Sequence, residues 1–315
     1  MKRKNNLYDE MCKIENIMQV FNEICRNTRN KRKVAKYKEQ KCINIFRVYN
    51  ILKSKSYIPS EPFVFTIYEP KERRIESQTM EDKLINHLVS RYILYPSILP
   101  CLIDTNVASR KNKGTSAGLM YFKKYNNICK IKYNTYYILK CDIKKFFQNV
   151  NKEILKNKVS RRIKDRDAID IVFKIIDSEK QGLGIGNMTS QVLAIFYLND
   201  LDHFIKEDLK IRYYIRYQDD ILIFHWSKQY LKESLIKIIE FLKKEDLMLN
   251  NKTRIYKSTD NFIFLGRNKE GKYAKYRSIK RKIKKRYYLY NKKVLNLNGI
   301  MSSIRSFKNL NKKYF

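Results

Sequence analysis

Two adjacent carboxylates, Asp219 and Asp220, follow Tyr217-Gln218 between two β-rich apolar runs, residues 211–217 and 221–224. That spacing predicts a β-hairpin with an acidic turn. Side by side the charges repel each other, which favours a divalent cation beside them, and magnesium is held by one or two carboxylates together with phosphate oxygens. An Asp-Asp pair is equally what an ordinary solvated turn contains. A third carboxylate, Asp142, ends another β-type run, residues 136–141, whose apolar character predicts a buried central strand. Pairing that strand with the hairpin brings three carboxylates to one sheet edge. Two metal ions about 3.5–4 Å apart could then activate an attacking hydroxyl and stabilise a leaving pyrophosphate. The alternative for Asp142 is a helix N-cap before Ile143-Lys144-Lys145.

The elements around these residues are legible from periodicity. Leu7, Met11, Ile14, Met18, Phe21 and Cys25 recur at helical spacing over residues 7–25, and after a basic stretch (26–41) a second helical segment runs to about Lys53. Residues 63–68 read as a strand, 81–94 as a helix, and 109–116 as a basic loop ending at Gly114. Helices are expected over 190–205 and 231–247, and a short strand over 262–265. Glycine is scarce, yet three of the eight fall at Gly182, Gly184 and Gly186, so the backbone is being shaped there.

The chain of 315 residues carries 68 Lys and Arg against 31 Asp and Glu, a net charge of +37. A folded protein this basic implies a polyanionic partner, most simply nucleic acid; biased codon usage is the competing explanation. Distribution separates the two. Residues 271–315 hold 15 basic residues and no acid, and residues 1–60 hold 15 basic and 5 acidic, so two-thirds of the excess sits in one-third of the chain. The six cysteines show no C-x-x-C spacing, which argues against structural zinc and for a reduced, cytoplasmic protein. No run approaches the roughly 18 apolar residues of a membrane span.

Taken in order, these segments resemble a reverse transcriptase. Residues 140–147 (Lys-Cys-Asp-Ile-Lys-Lys-Phe-Phe), residues 182–191 (Gly-Leu-Gly-Ile-Gly-Asn-Met-Thr-Ser-Gln), Tyr217-Gln218-Asp219-Asp220 and Phe264-Leu265-Gly266 follow that family's order. The resemblance implies an α+β, right-hand polymerase fold and RNA-directed DNA polymerase activity with two Mg²⁺ ions, for which Mn²⁺ can substitute. It implies metal ligation by Asp142, Ile143, Asp219 and Asp220, the three aspartates being catalytic. Phe147 is similar to the gate that rejects a ribose 2′-hydroxyl; alone it reads as a core aromatic. Ile185, Gly186 and Gln191 would face template and nucleotide, or simply turn a strand into a helix. Arg74, Arg110 and Lys113 would clamp the triphosphate, or be solvated charges or template contacts. Lys252 would protonate the leaving pyrophosphate, and Tyr217, Phe264, Leu265 and Gly266 would contact primer and template.

The resemblance also implies an organisation: a basic helical segment (1–60), fingers (61–132), a palm (133–270) with fingers elements between 150 and 181, and a short basic thumb (271–315). The 45 residues after Glu270 leave no room for a nuclease or integrase domain. Ile185 and Gln191 replace the Gln and Pro of the commoner motif, which resembles the enzymes of diversity-generating retroelements, bacterial or phage-encoded and error-prone at adenine. Mutagenic retrohoming of that kind implies a structured template RNA, an RNA/DNA duplex, dNTPs and a small basic accessory protein forming a ring. Group II intron-like and phage-defence reverse transcriptases share the segment, and Ser116 and Lys83 depart from the common pattern. A non-catalytic RNA-binding protein on the same scaffold is the reading from another class.

Overall fold

The computed structural model describes residues 5–28, 30–67, 73–268 and 276–293. The chain divides into two compact units, Met1–Ser258 and Thr259–Phe315.

The first unit opens with α1 (Leu7–Met11), α2 (Ile14–Asn27), α3 (Lys31–Glu39) and α4 (Lys41–Lys53). The single helix expected over 7–25 is broken at Cys12-Lys13. Lys13 is extended there, and α1 is anchored separately at its start, where Asp165 Oδ2 accepts the Leu7 and Tyr8 N–H groups at 2.7 and 2.9 Å. In α2, Ile17, Val20, Phe21, Ile24 and Cys25 form the buried stripe that the periodicity requires. The hairpin β1 (Phe63–Ile67) and β2 (Arg73–Ser77) follows. The helix expected over 81–94 is α5 (Met80–Leu88) running into a π-helical segment, Val89–Leu94, then α6 (Tyr95–Ile98). An 18-residue helix with no counterpart in the expectations, α7 (Thr115–Lys132), precedes the sheet.

β3 (Tyr137–Cys141) is followed by α8 (Phe146–Asn149), α9 (Lys152–Ser160), α10 (Arg166–Ser178), α11 (Met188–Tyr197) and α12 (Asn199–His203). β4 (Tyr213–Tyr217), β5 (Asp220–His225), α13 (Lys228–Lys244) and β6 (Arg254–Lys257) complete the unit. The four strands form an antiparallel sheet in the order β4-β5-β3-β6. Both faces of its centre are buried, which is why β3 and β5 read as nearly continuous apolar runs. Tyr214, Ile221, Ile223, Leu139 and Cys141 join the main core with Leu231, Ile238 and Leu242 of α13. On the other face α7 lays Phe122 6.0 Å from Phe224, and Tyr125 5.3 Å from Tyr213.

In the second unit, residues 262–265 are not the strand expected. Phe264 and Arg267 form a single antiparallel bridge around a turn at Leu265 (φ 48°) and Gly266 (φ 79°). The strand beside β3 is β6, none of whose residues is fully buried, as suits a sheet edge. α14 (Tyr276–Asn291) makes the start of the basic tail helical. Residues 269–275 and 294–315, which hold the end of the expected palm and the rest of the expected thumb, and the stretch 68–72 lie outside the described residues.

Because Phe122 is buried between α7 and the sheet, Phe122→Ala should cost about 3–5 kcal/mol. Urea denaturation measures it, and a loss below about 1 kcal/mol would show that face to be loosely packed.

Candidate active site

The β4–β5 hairpin turns over two residues, Gln218 and Asp219, because Tyr217 pairs directly with Asp220. Gln218 supplies the left-handed conformation, φ 54°, at a cost of about 1–3 kcal/mol for a residue with a Cβ. It is held at both ends. Its carbonyl accepts from Arg216 Nη1 at 3.0 Å, and its Nε2 donates to Ser109 Oγ at 2.9 Å. Ser109 in turn donates to Gln191 Oε1 at 3.4 Å, so one hydroxyl links the turn to the helix after the glycine loop.

Arg216 is wholly buried. Asp202 of α12 accepts from its Nε at 2.6 Å and its Nη2 at 2.5 Å, and Nη2 also reaches the Ile195 carbonyl at 2.8 Å. Asp202 also accepts from Tyr214 Oη at 2.5 Å and from Asn106 Nδ2 at 3.3 Å. Burial and the Asp202 charge hold the Tyr214 phenol far above its ordinary pKa, so it stays a donor.

Cys141 pairs with Ile221, and continuing that register sets Asp142 level with Asp220. The Asp142 carbonyl accepts the Asn250 N–H at 2.6 Å, Lys144 N–H donates to the Met248 carbonyl at 2.9 Å, and Ile143 bridges Leu249. The segment is therefore pinned on the side of the chain that leads to Lys252. Asp142 is not a helix cap: α8 starts at Phe146, with Lys145 in the capping position. Burial raises Asp219 to about 6; the charges of Asp142 and Asp220 push it the same way, against its own backbone N–H and Arg73. Lys140 Nζ stands 3.6 Å from Asp220 Oδ1. The three aspartates thus share one electrostatic neighbourhood.

Among the described residues no three acidic, His or Cys side chains are gathered into a ready-made metal cage. The donor chemistry still suits magnesium, whose shell is ordinarily one or two carboxylates completed by water and substrate phosphates.

The glycine loop lies against the protein's own atoms. Gly182, at φ 57°, would place a Cβ 2.2 Å from the Phe147 carbonyl oxygen, and Leu183 N–H donates to that carbonyl at 2.7 Å. The loop is thus the seat of Phe147, which is half-buried with its ring 5.8 Å from Phe146. Gly186, at φ 134°, would place a Cβ 2.7 Å from the Glu76 carbonyl oxygen, and the Ile185 carbonyl accepts the Glu76 N–H at 3.1 Å. Tyr217 packs half-buried on the core.

The cationic candidates divide. Arg110 Nη1 donates to the Ile103 and Asn106 carbonyls at 2.8 and 2.9 Å, and Lys113 is bound to Asp104 by side chain and carbonyl. Both are engaged within their own loop. Arg74 is exposed on β2. Its neighbour Arg73, on the opposite face of the strand, is the one whose charge acts on Asp219. Lys252 is exposed in the turn before β6. Phe264, Leu265 and Gly266 form the turn of the second unit. Sequence reasoning passed over Arg73, Asp202 and Arg216; strand alternation could have separated Arg73 from Arg74.

The family profile described as reverse transcriptase (RNA-dependent DNA polymerase) matches residues 67–268, well over half of the chain. The chain belongs to the reverse transcriptase family. Solved telomerase structures share this reverse transcriptase fold. Apo telomerase from Candida tropicalis, truncated from its C-terminal domain, superposes with a TM-score of 0.53 and 15% identity over 69% of this chain and 56% of that one. Telomerase from Candida albicans, in complex with a TWJ fragment of telomeric RNA, gives 0.51 and 12% over 80% and 53%. The Candida tropicalis enzyme with the same kind of fragment gives 0.50 and 14% over 83% and 55%. The reverse transcriptase chain described here spans little more than half the length of these telomerases. No curated protein sequence matches it. The architecture is the right-hand polymerase fold.

Removing Asp202 leaves a buried guanidinium uncompensated, so Asp202→Ala should cost about 3–5 kcal/mol. Chemical denaturation reads this, and a change within about 0.5 kcal/mol, as at an ordinary surface site, would remove the ion pair from its supporting role.

Proposed function

We propose that the chain is an RNA-directed DNA polymerase that copies a structured template RNA, with Asp142, Asp219 and Asp220 at its catalytic centre. The observation that carries this reading is the register that sets Asp142 beside the Asp219-Asp220 turn in a reverse transcriptase fold. Asp142 and Asp219 are the principal metal ligands, with Asp220 and the Ile143 carbonyl in support. Magnesium bound there, as two ions for which manganese can substitute, supplies Lewis-acid activation of the primer 3′-hydroxyl and charge stabilisation of the departing pyrophosphate.

The chain's own residues do the rest. Phe147, fixed by the glycine loop, blocks a ribose 2′-hydroxyl. Ile185, Gly186 and Gln191 face the nascent pair, and Arg73 and Arg74 bring positive charge to the triphosphate. Arg110 and Lys113 hold the shape of the loop behind it, and Lys252 is the proton donor to pyrophosphate. Tyr217 and the Phe264-Leu265-Gly266 turn position primer and template. By function, residues 1–60 form the basic entry segment, 61–132 the fingers, 133–270 the palm and 271–315 a short thumb. α3 exposes Arg32, Lys33, Lys36 and Lys38, and α14 exposes Tyr287 and Tyr288 among lysines, a composition suited to an RNA/DNA duplex. The telomerase neighbours solved with RNA support the choice of template.

Within the family we place the chain with the diversity-generating retroelement enzymes, on Ile185 and Gln191. An apolar side chain at Ile185 cannot hydrogen-bond the nascent pair, so mispairs at template adenine are rejected less strongly. A small basic accessory protein forming a ring belongs to the same reading.

Asp219→Ala should lower primer extension on an RNA template by at least about 100-fold, the scale of losing a group that stabilises transition-state charge. Equal extension by both proteins would defeat the assignment. Ile185→Gln should restore one neutral hydrogen bond and reduce misincorporation opposite adenine by a factor of about 2–10. Sequencing of the cDNA reads this, and an unchanged adenine error rate would separate the chain from the mutagenic group.

A further inference from the structure

The polymerase reading leaves two acids without a task, Glu179, which is buried, and Glu76, which is half-buried. Glu179, just past α10, is hydrogen-bonded through its side chain to Glu76 of β2. Both carboxyls crowd the middle glycine of the loop: a Cβ on Gly184 would lie 2.2 Å from Glu179 Oε2 and 2.7 Å from Glu76 Oε2. The other Glu179 oxygen is occupied, accepting from Asn187 Nδ2 at 2.6 Å and Ser190 Oγ at 3.4 Å. Ionised carboxylates only accept, so a carboxyl–carboxyl hydrogen bond needs a proton on one of them.

The surrounding charges do not supply a substitute. Lys152 of α9 directs its ammonium to the Glu179 backbone carbonyl. Lys180 pairs with Glu61 at 2.9 Å, and Lys156 with Asp177 at 2.7 Å. Asp82 of α5, which shares the small cavity beside the pair, is held by Tyr57 Oη at 2.9 Å, Thr79 Oγ1 at 2.6 Å and Ser60 N–H at 3.3 Å. From α11 the contacts are the neutral Asn187 and Ser190. On β2 itself, Arg74 shares the strand face of Glu76 and Arg73 takes the opposite one.

We propose that Glu76 and Glu179 share one proton and act as positioning residues, clipping the fingers strand β2 to the glycine loop. The clip sits where strand and loop come closest, at the Glu76 N–H to Ile185 carbonyl bond and the Gly186 contact with the Glu76 carbonyl. β2 carries Arg73 and Arg74, and the loop carries Ile185, so the proton fixes how the cationic strand stands over the nascent pair. Burial first, and then Glu76, push the Glu179 pKa up to about 8, against Asn187 and Ser190. Glu179 therefore keeps its proton below that pH and donates it to Glu76; above it the Glu179 carboxylate can only accept, the bond is lost and the strand is released. The consequence for nucleotide binding rests on the polymerase reading; the shared proton does not.

The test compares the full chain with Glu179→Gln a unit either side of about pH 8. The Gln amide donates to Glu76 with no proton to lose and still accepts from Asn187 and Ser190. Infrared spectra at the lower pH should show a protonated carboxyl stretch in the parent that Glu179→Gln lacks. Amide exchange, corrected for intrinsic rate, should show protection at Glu76 falling about tenfold above the transition in the parent and remaining in Glu179→Gln. The KM for dNTP should rise over the same interval in the parent, with kcat changed less, and stay level in the variant. Glu179→Ala should lose the protection at both pH values. No protonated-carboxyl signal, or the same pH profile in parent and Glu179→Gln, would overturn the proposal. Infrared and exchange results as expected from a chain that extends no primer would leave the clip standing and sink the polymerase reading instead.

Discussion

The acidic turn depends on a charge that never sees water. Arg216 points from β4 into the core, where Asp202 takes two of its N–H groups and the Ile195 and Gln218 carbonyls take others. Burying such a pair is expensive, and an apolar pair of similar volume would often be as stable. What an apolar pair could not do is hold α11, α12 and the acidic turn in one fixed relation. The planar fork of arginine makes two bonds to the carboxylate and one to each of two carbonyls, four in all, where a lysine has only three N–H donors. A two-residue turn with a left-handed Gln218 and a half-buried Asp219 beside like charges opposes its own formation. The ion pair, through Gln218, supplies the counterweight.

Much of the acidic turn and of the strand beside it was readable because the signals are local. The apolar run before Asp142 identified a central strand, and the hairpin around Asp219 and Asp220 followed from two β-rich runs separated by a turn; the register then did the rest. Other parts were silent for physical reasons. α7 buries only Gly118, Phe122 and Cys129, and it packs with tyrosines that look amphipathic in sequence, so no strong periodicity marks it. β6 is a half-exposed edge strand and needs no apolar run, whereas the apolar residues 262–265 go to a turn instead.

Long side chains were the hardest to place. Arg216 in a β run reads as an outward polar residue until Asp202, fourteen positions earlier, is set beneath it. Arg110 and Lys113 read as free cations, yet local carbonyls and Asp104 occupy them. The glycines are the reverse case. Their need for close approach was plain, but the partners that crowd them are Phe147, Glu179 and Glu76, drawn from three separate segments. Composition reveals that space is scarce at a position and says nothing about what fills it.

Asp165 carries a consequence for the order of assembly. Its carboxylate serves two helices at once, accepting Leu7 and Tyr8 N–H groups at the start of α1 and Ala168 N–H at the start of α10. A five-residue helix cannot persist alone in water, since nucleation costs more than so few hydrogen bonds return. α1 therefore waits for a residue 158 positions away, and closing so long a loop is slow. α1 leaves the ribosome well before its anchor and is among the last helices to form.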